Sequence, residues 1–202
     1  MKSEYDFVKY LEKMEIFHKN IIHGIGDDCA VLRFNNKNYV LTTDTSLLGP
    51  HFTKDYTPEE IGHKSLATNL SDIAAMGCIP LYALYALTLP KMSESWIKRF
   101  FRGTKKLLQE YNVSIIGGDT TKGPLSISIT LIGVQKHHIL LRSGAKNGHE
   151  IYVTGTLGNA RAALVLNNNT KGHKYFRKYL VRPTPRVSVG LELSKFASSC
   201  ID

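Results

Sequence analysis

Cysteine is scarce in this chain: Cys29, Cys78 and Cys200 are the only three among 202 residues. Their odd number and wide spacing exclude a disulfide framework and a zinc-binding cysteine set, and they suit a reducing, cytoplasmic setting. Long apolar runs are missing too. The longest, IPLYALYALTLP, is punctuated by Pro80 and Pro90 and is too short to span a bilayer. The N-terminal MKSEYDFVKYLEK carries charge where a signal peptide has an apolar block, so no membrane partner is expected. Neither GxxxxGK[ST] nor GxGxxG occurs, which removes the P-loop and Rossmann routes to a nucleotide site. Acidic residues are outnumbered, 17 against 26 basic ones, for a net charge of +9. Much of the excess sits in KGHKYFRKYLVRPTPR (171–186), where Lys171, Lys174, Arg177 and Lys178 recur at helical spacing. That pattern describes a solvated helix face. With no helix-turn-helix, zinc-finger or RNA-binding motif beside it, nucleic acid is not the expected partner.

What is present is a globular composition, 43% hydrophobic and 21% charged, enough to bury a core. Residues 6–16 read as an amphipathic helix with Phe7, Val8, Leu11 and Ile16 on its apolar side. CAVLRF and YVLTT read as strands joined by the turn NNKN. Thr57-Pro58-Glu59-Glu60 is a helix start with a capping box, and Gly77 with Pro80 stops that helix near Met76. LYALYALTL is a buried strand. Ser93 caps a second helix with the stripe Trp96, Ile97, Phe100, Leu107, Leu108 and Tyr111. VSII is a strand that breaks at Gly117-Gly118, and LSISITLIGV alternates, leaving an apolar face that needs cover. A polar linker over Arg142–Gly148 precedes EIYVTG as a strand, TLGN as a turn and ARAALVL as a helix. The class is α+β: an N-terminal α/β domain over 1–138 and a partial C-terminal α/β domain over 139–202.

Carboxylates recur at the expected ends of elements. Asp27 and Asp28 precede CAVLRF, Asp44 follows YVLTT, Asp72 lies near the end of its helix and Asp119 follows VSII. Asp72 is the most informative, because its helix face is otherwise apolar or small and a carboxylate there faces the negative end of the helix dipole. Carboxylates with the hydroxyls of Thr42 and Thr43, and no EF-hand loop, select Mg²⁺. Mg²⁺ commonly bridges protein carboxylates to phosphate oxygens, so a nucleotide is the natural partner. The glycine-rich turns GIGDD, GGDTTKG and TGTLGN offer backbone N–H groups to phosphate. No nucleophile–base pair stands out. For His51 a structural and a functional role are evenly balanced by pattern alone.

The stretches GIGDDCAV, TTDTSLLGPHF, HKSLATNLSDIAAMGCIP, IGGDTTKGPLSI, RSGAKNGHEIYVTGTLGNA and RPTPRVSVG, in this order, resemble the thiamine-monophosphate kinase family. That family belongs to a superfamily that includes aminoimidazole ribonucleotide synthetase. The resemblance implies a two-domain fold and a homodimer whose N-terminal sheets pair into a shared barrel. It implies ATP-dependent phosphorylation of thiamine monophosphate by in-line transfer, with Mg²⁺ held by aspartates and no covalent nucleophile. By position, Asp28, Thr42, Thr43, Asp44, Asp72, Asp119 and Asp202 resemble the Mg²⁺ set. Gly118, Asp119 and Arg142 resemble nucleotide contacts, and His51 a substrate-side residue. The family's pattern runs on past Asp202, so a shortened form with little or no turnover is expected. The rival readings are another enzyme of the superfamily and a basic nucleic-acid-binding module.

Overall fold

The computed structural model describes residues 3–14, 18–166 and 172–202. Ile16 and Lys171, which figure in the expectations above, lie outside them. The frame is a six-stranded sheet in the order β1-β2-β3-β6-β4-β5. Its strands are β1 (Ile21–His23), β2 (Ala30–Phe34), β3 (Lys37–Leu47), β4 (Cys78–Leu89), β5 (Ser114–Lys122) and β6 (Ser126–Gln135). The helices are α1 (Glu4–Glu12), α2 (Pro58–Ala75), α3 (Glu94–Glu110), α4 (Asn159–Val165), α5 (His173–Val181) and α6 (Val187–Leu193). The expected run of two strands, helix, strand, helix and two strands is present, and short β1 is an addition to it.

Local chemistry explains most boundaries. Asn35 and Asn36 sit at φ 46° and 61° between β2 and β3, in the left-handed region that a two-residue hairpin turn requires and asparagine tolerates. At the start of α2 the Thr57 hydroxyl accepts the Glu60 N–H (3.2 Å), and the Glu60 carboxylate accepts the Thr57 N–H (2.9 Å). This reciprocal cap satisfies two donors that a helix start leaves open. The Ser93 hydroxyl accepts the Trp96 N–H at the start of α3.

α2 and α3 form a layer on one face of the sheet. Leu66, Leu70 and Ile73 of α2 and Phe100 and Leu107 of α3 join Ala83, Tyr85 and Leu87 of β4 and Ile127, Ile129 and Leu131 of β6 in one buried cluster. The apolar face of LSISITLIGV, formed by Ile127, Ile129 and Leu131, is therefore covered by the chain's own helices. The face that stays open carries small polar residues along its middle, flanked by Leu84, Ile132 and the exposed Tyr82. Across it Thr43 pairs with Thr130 and Thr45 with Ser128, each hydroxyl pair at 2.7 Å.

Three further expectations change. Asp44 lies inside β3, which continues to Leu47, because β6 pairs with it along that whole length. Asp119 also lies inside a strand. β5 runs on through the glycines, parallel to β4, with Ile116 as an extra residue between the pairs Ala83–Ile115 and Leu84–Gly117. Gly118 makes this continuation possible: a Cβ there would lie 1.9 Å from the Tyr85 carbonyl oxygen. Finally, EIYVTG forms no strand. Ile151 and Tyr152 are 98% and 84% exposed, and among the described residues no strand lies alongside to receive their backbone groups.

Beyond the expected linker the chain returns to α2. Leu140 is buried and donates its N–H to the Met76 carbonyl (3.2 Å). α6 crosses the end of α2 so closely that a Cβ on Gly190 would lie 1.9 Å from the Ala74 carbonyl oxygen. That approach sets the direction in which residues 194–202 leave.

Candidate metal centre

The site is built where two strands part. β2 pairs with β3 only as far as Ala30–Leu41. Beyond Leu41, β3 has no strand on that side among the described residues, and its backbone needs other partners. α2 supplies one. The Asn69 side chain, fully buried, accepts the Asp44 N–H at Oδ1 (3.2 Å) and donates from Nδ2 to the Ser65 carbonyl (2.9 Å). One turn further along α2, Asp72 Oδ2 accepts the Thr42 hydroxyl at 2.6 Å. These two side-chain bonds tie α2 to the bare edge of β3 and put the Asp72 carboxylate beside it.

Asp28 enters from the GIGDD loop that precedes β2. Asp27 shapes that loop: its Oδ1 accepts the Asp28 N–H and its Oδ2 the Arg142 N–H, both at 3.0 Å. The Arg142 guanidinium pairs with Asp28 Oδ1. The Ser199 hydroxyl donates to the Arg142 carbonyl (3.1 Å), which holds the last residues against the same loop. Asp202 thereby arrives next to Asp28 and Asp72, with one carboxylate oxygen of each within 4.8 Å of the others.

The Arg142 guanidinium alone leaves the charges of this trio incompletely balanced. The Asp28 side chain is 1% exposed, and its Oδ2 has no hydrogen-bond partner among the described residues. A buried, unpaired carboxylate oxygen is costly. Burial, with the charges of Asp44, Asp202 and Asp28, pushes the Asp72 carboxyl up to about 7 against the opposing Thr42 hydrogen bond. Burial and the charge of Asp28 raise Asp202 as well. The donor set is oxygen only, three carboxylates with a hydroxyl behind them. Hard oxygen donors fit Mg²⁺ or Ca²⁺ rather than a thiol- or imidazole-seeking metal. An open cavity of about 880 Å³ adjoins the trio. It runs between α1 and β1–β3, past Ile21, Ile25 and Leu41, and ends at Asp27, Asp28 and Arg142.

Of the expected site residues, Asp28, Asp72, Asp202, Thr42 and Arg142 meet here. Asp44 stands at the edge of the group, its backbone held by Asn69. Thr43 points to the other face, toward Thr130. Gly118 and Asp119 are elsewhere. Asp119 shares a cross-strand row with Ala86, Ser128 and Thr45. It is thus three inter-strand steps from β3, about 14 Å, and on the open face. His51 is also apart. Its Nδ1 accepts the Leu47 N–H (3.0 Å), and its carbonyl accepts the Lys64 ammonium (2.8 Å) near the start of α2. Lys64 and Asp72 are eight residues apart on α2, about 12 Å along the axis. Sequence reading missed Asn69. The available signal was an amide on a helix face otherwise made of Leu66, Leu70 and Ile73, where a buried polar group must find partners.

Comparison with known proteins agrees with this architecture. Residues 26–135 match the family described as AIR synthase related protein, N-terminal domain. The thiamine-monophosphate kinase of Buchnera aphidicola (subsp. Acyrthosiphon pisum) is 41% identical over 209 residues, covering 99% of this chain and 65% of its own. That of Escherichia coli K12 is 41% identical over 202 residues, covering 96% and 62%. The solved structure of AaThiL complexed with AMPPCP and TMP superposes with a TM-score of 0.86 at 31% identity, covering 97% of this chain and 64% of that one. The chain thus spans a little under two thirds of these relatives. With the matched region running from the GIGDD loop through β6, the chain belongs to the AIR synthase related family and carries its N-terminal domain.

Proposed function

We propose that this chain carries the Mg²⁺–nucleotide part of an ATP-dependent thiamine-monophosphate kinase, forming thiamine diphosphate. The observation that carries the reading is the trio Asp28, Asp72 and Asp202 with the buried, unpartnered Oδ2 of Asp28. The relatives named as thiamine-monophosphate kinases, and the AMPPCP and TMP bound in the solved neighbour, support the choice of substrates. Asp28, Asp72 and Asp202 would hold Mg²⁺, with Thr42 fixing the Asp72 carboxylate and Asp44 nearby. When bound, Mg²⁺ supplies charge neutralisation between the two phosphates being joined. The acceptor is a phosphate monoester, whose second pKa is about 6, so it needs no general base. This accords with a site rich in carboxylates and without a nucleophile. The cavity of about 880 Å³ beside Arg142 is the room we assign to the nucleoside. His51, fastened by Leu47 and Lys64, is the residue we assign to the acceptor side.

A second copy of the chain is part of the reading. Every residue of β5 is exposed, although it is a parallel strand at a sheet edge. Ile115 and Ile116 are 43% and 53% exposed. Such a strand needs cover on its faces and on its edge. A homodimer formed there would bring Asp119 and Gly118 of one protomer to the neighbour's nucleotide. The division into a domain over 1–138 and a further α/β part over 139–202 belongs to the same proposal. The cytoplasm suits ATP chemistry and three free thiols, and no helix among the described residues is long and apolar enough to cross a membrane.

The test is calorimetric titration of Mg·AMPPCP, then of thiamine monophosphate, into the wild-type chain and its Asp28→Asn and Asp72→Asn variants. We expect the wild type to bind nucleotide only with Mg²⁺ present, and both variants to lose that binding while keeping their circular dichroism. Undiminished binding in both would remove the trio from the function.

A further inference from the structure

We propose that Arg142 couples the metal to the nucleotide: it weakens the hold of the carboxylate trio on bare metal ions and strengthens its hold on metal–nucleotide. The inference rests on the metal reading above. Its evidence is the way Arg142 is held. The main chain is fixed on both sides, its N–H donated to Asp27 Oδ2 (3.0 Å) and its carbonyl accepting the Ser199 hydroxyl (3.1 Å). The guanidinium has a different status. It meets Asp28 Oδ1, yet the side chain is 44% exposed while Asp28 is 1% exposed. A rooted backbone thus carries a charged head that reaches from the buried trio into the mouth of the open cavity.

Two consequences follow from Coulomb's law. A fixed positive charge on Asp28 repels a divalent cation that seeks the other oxygen of the same carboxylate. The same charge attracts a polyphosphate delivered along the cavity, and a planar guanidinium can exchange a carboxylate for a phosphate with little change in geometry. The guanidinium therefore opposes the metal when it comes alone and favours it when it comes with phosphates. This is a coupling free energy between two ligands, and it is reciprocal. It also yields a sign that simple damage to the site does not: removing Arg142 tightens one ligand and loosens the other.

The experiment measures metal binding. Mn²⁺, which takes the same oxygen ligands and is counted by its paramagnetic signal, is titrated into the whole chain with and without AMPPCP. Wild type is compared with Arg142→Met, Arg142→Lys and Asp28→Asn. We expect Arg142→Met to bind free Mn²⁺ on the order of tenfold more tightly than wild type, and Mn·AMPPCP on the order of tenfold more weakly. Arg142→Lys keeps the charge and should stay near wild type for free Mn²⁺, which guards against a folding defect in the methionine variant. Unchanged or weaker free Mn²⁺ binding in Arg142→Met, with Arg142→Lys normal, overturns the coupling. Asp28→Asn reports on the underlying reading separately: retention of free Mn²⁺ there would mean that the trio is not the metal centre.

Discussion

β3 and β5 each carry an aspartate inside a strand with a bare edge, along part of β3 and the whole of β5, and only β3 is completed from within the chain. Beside β3 the gap left by β2 is filled by Asn69 and Asp72 of α2, by the GIGDD loop and by the last residues. Beside β5 nothing in the described residues fills the corresponding space, and all nine of its residues are exposed. The lesson is that a carboxylate on a strand becomes a site only when other elements converge on it. For Asp44 and its neighbours the convergence is intramolecular. For Asp119 it has to come from elsewhere, and a second copy is the proposed source.

The same truncation on the two sides gives the sharpest contrast. Leu70, fully buried on the sheet-facing side of α2 that closes over β3, should cost about 3 kcal/mol when changed to alanine. Ile116→Ala, at 53% exposure on β5, should cost no more than about 0.5 kcal/mol in the unfolding of a single protomer. Urea unfolding at low protein concentration reads both, and equal losses would contradict the difference between the strands. Next in size is the contrast between carboxylates. Asp28→Asn should weaken free metal by at least about a hundredfold, since even residues behind a ligand contribute ten- to a hundredfold. Asp119→Asn should leave free metal unchanged and weaken only the metal–nucleotide complex. Equal loss of free metal in both variants would mean that β5 joins the trio directly. Asn69→Ala, which unties Asp44 and lets α2 shift on β3, should weaken metal by about tenfold. Metal affinity equal to wild type would reduce Asn69 to packing alone.

The smallest effect concerns pH. His63 of α2 lies 2.9 Å from the Pro183 carbonyl through Nε2, and burial holds its pKa below the ordinary 6.5. The folded state thus prefers the neutral ring. Its contribution to stability is complete above pH 6.5 and is lost as pH falls through that value, where the unfolded chain takes up the proton first. A small drop in the urea midpoint between pH 7.5 and about 5.5, absent in His63→Gln, is the expected outcome. It would mark how firmly residues beyond α5 are joined to the completed side of the molecule.

What was legible in the sequence is what local spacing determines. The Thr57–Glu60 cap, the stop at Gly77 and the stripe on α3 rest on contacts three or four residues apart, and each stands as expected. Asp28, Thr42 and Asp72 stood out as oxygen donors at the ends of elements, Asp202 and Arg142 only by resemblance, and the structure brings all five together. Strand ends were less legible, because pairing with a distant neighbour sets them: β6 carries β3 past Asp44, and β4 carries β5 past two glycines that alone read as a turn. EIYVTG has the composition of a strand without a neighbour to make it one. Asn69 was hidden for the same reason, since its partner is a backbone N–H 25 residues away.

The ladder between β3 and β6 has a further consequence, for the order of events during folding. Thr43 and Thr130 face each other although they lie 87 positions apart in the chain. Closing so long a segment carries an entropic cost that only the finished sheet repays, so contacts of this kind form late and slowly. The bare edge of β3 acquires a fixed position only once β6 has inserted between β3 and β4. The carboxylates beside it are therefore gathered after the rest of the core. Metal uptake followed in time during refolding should lag behind the burial of Trp96, and the lag should measure the closure of that one ladder.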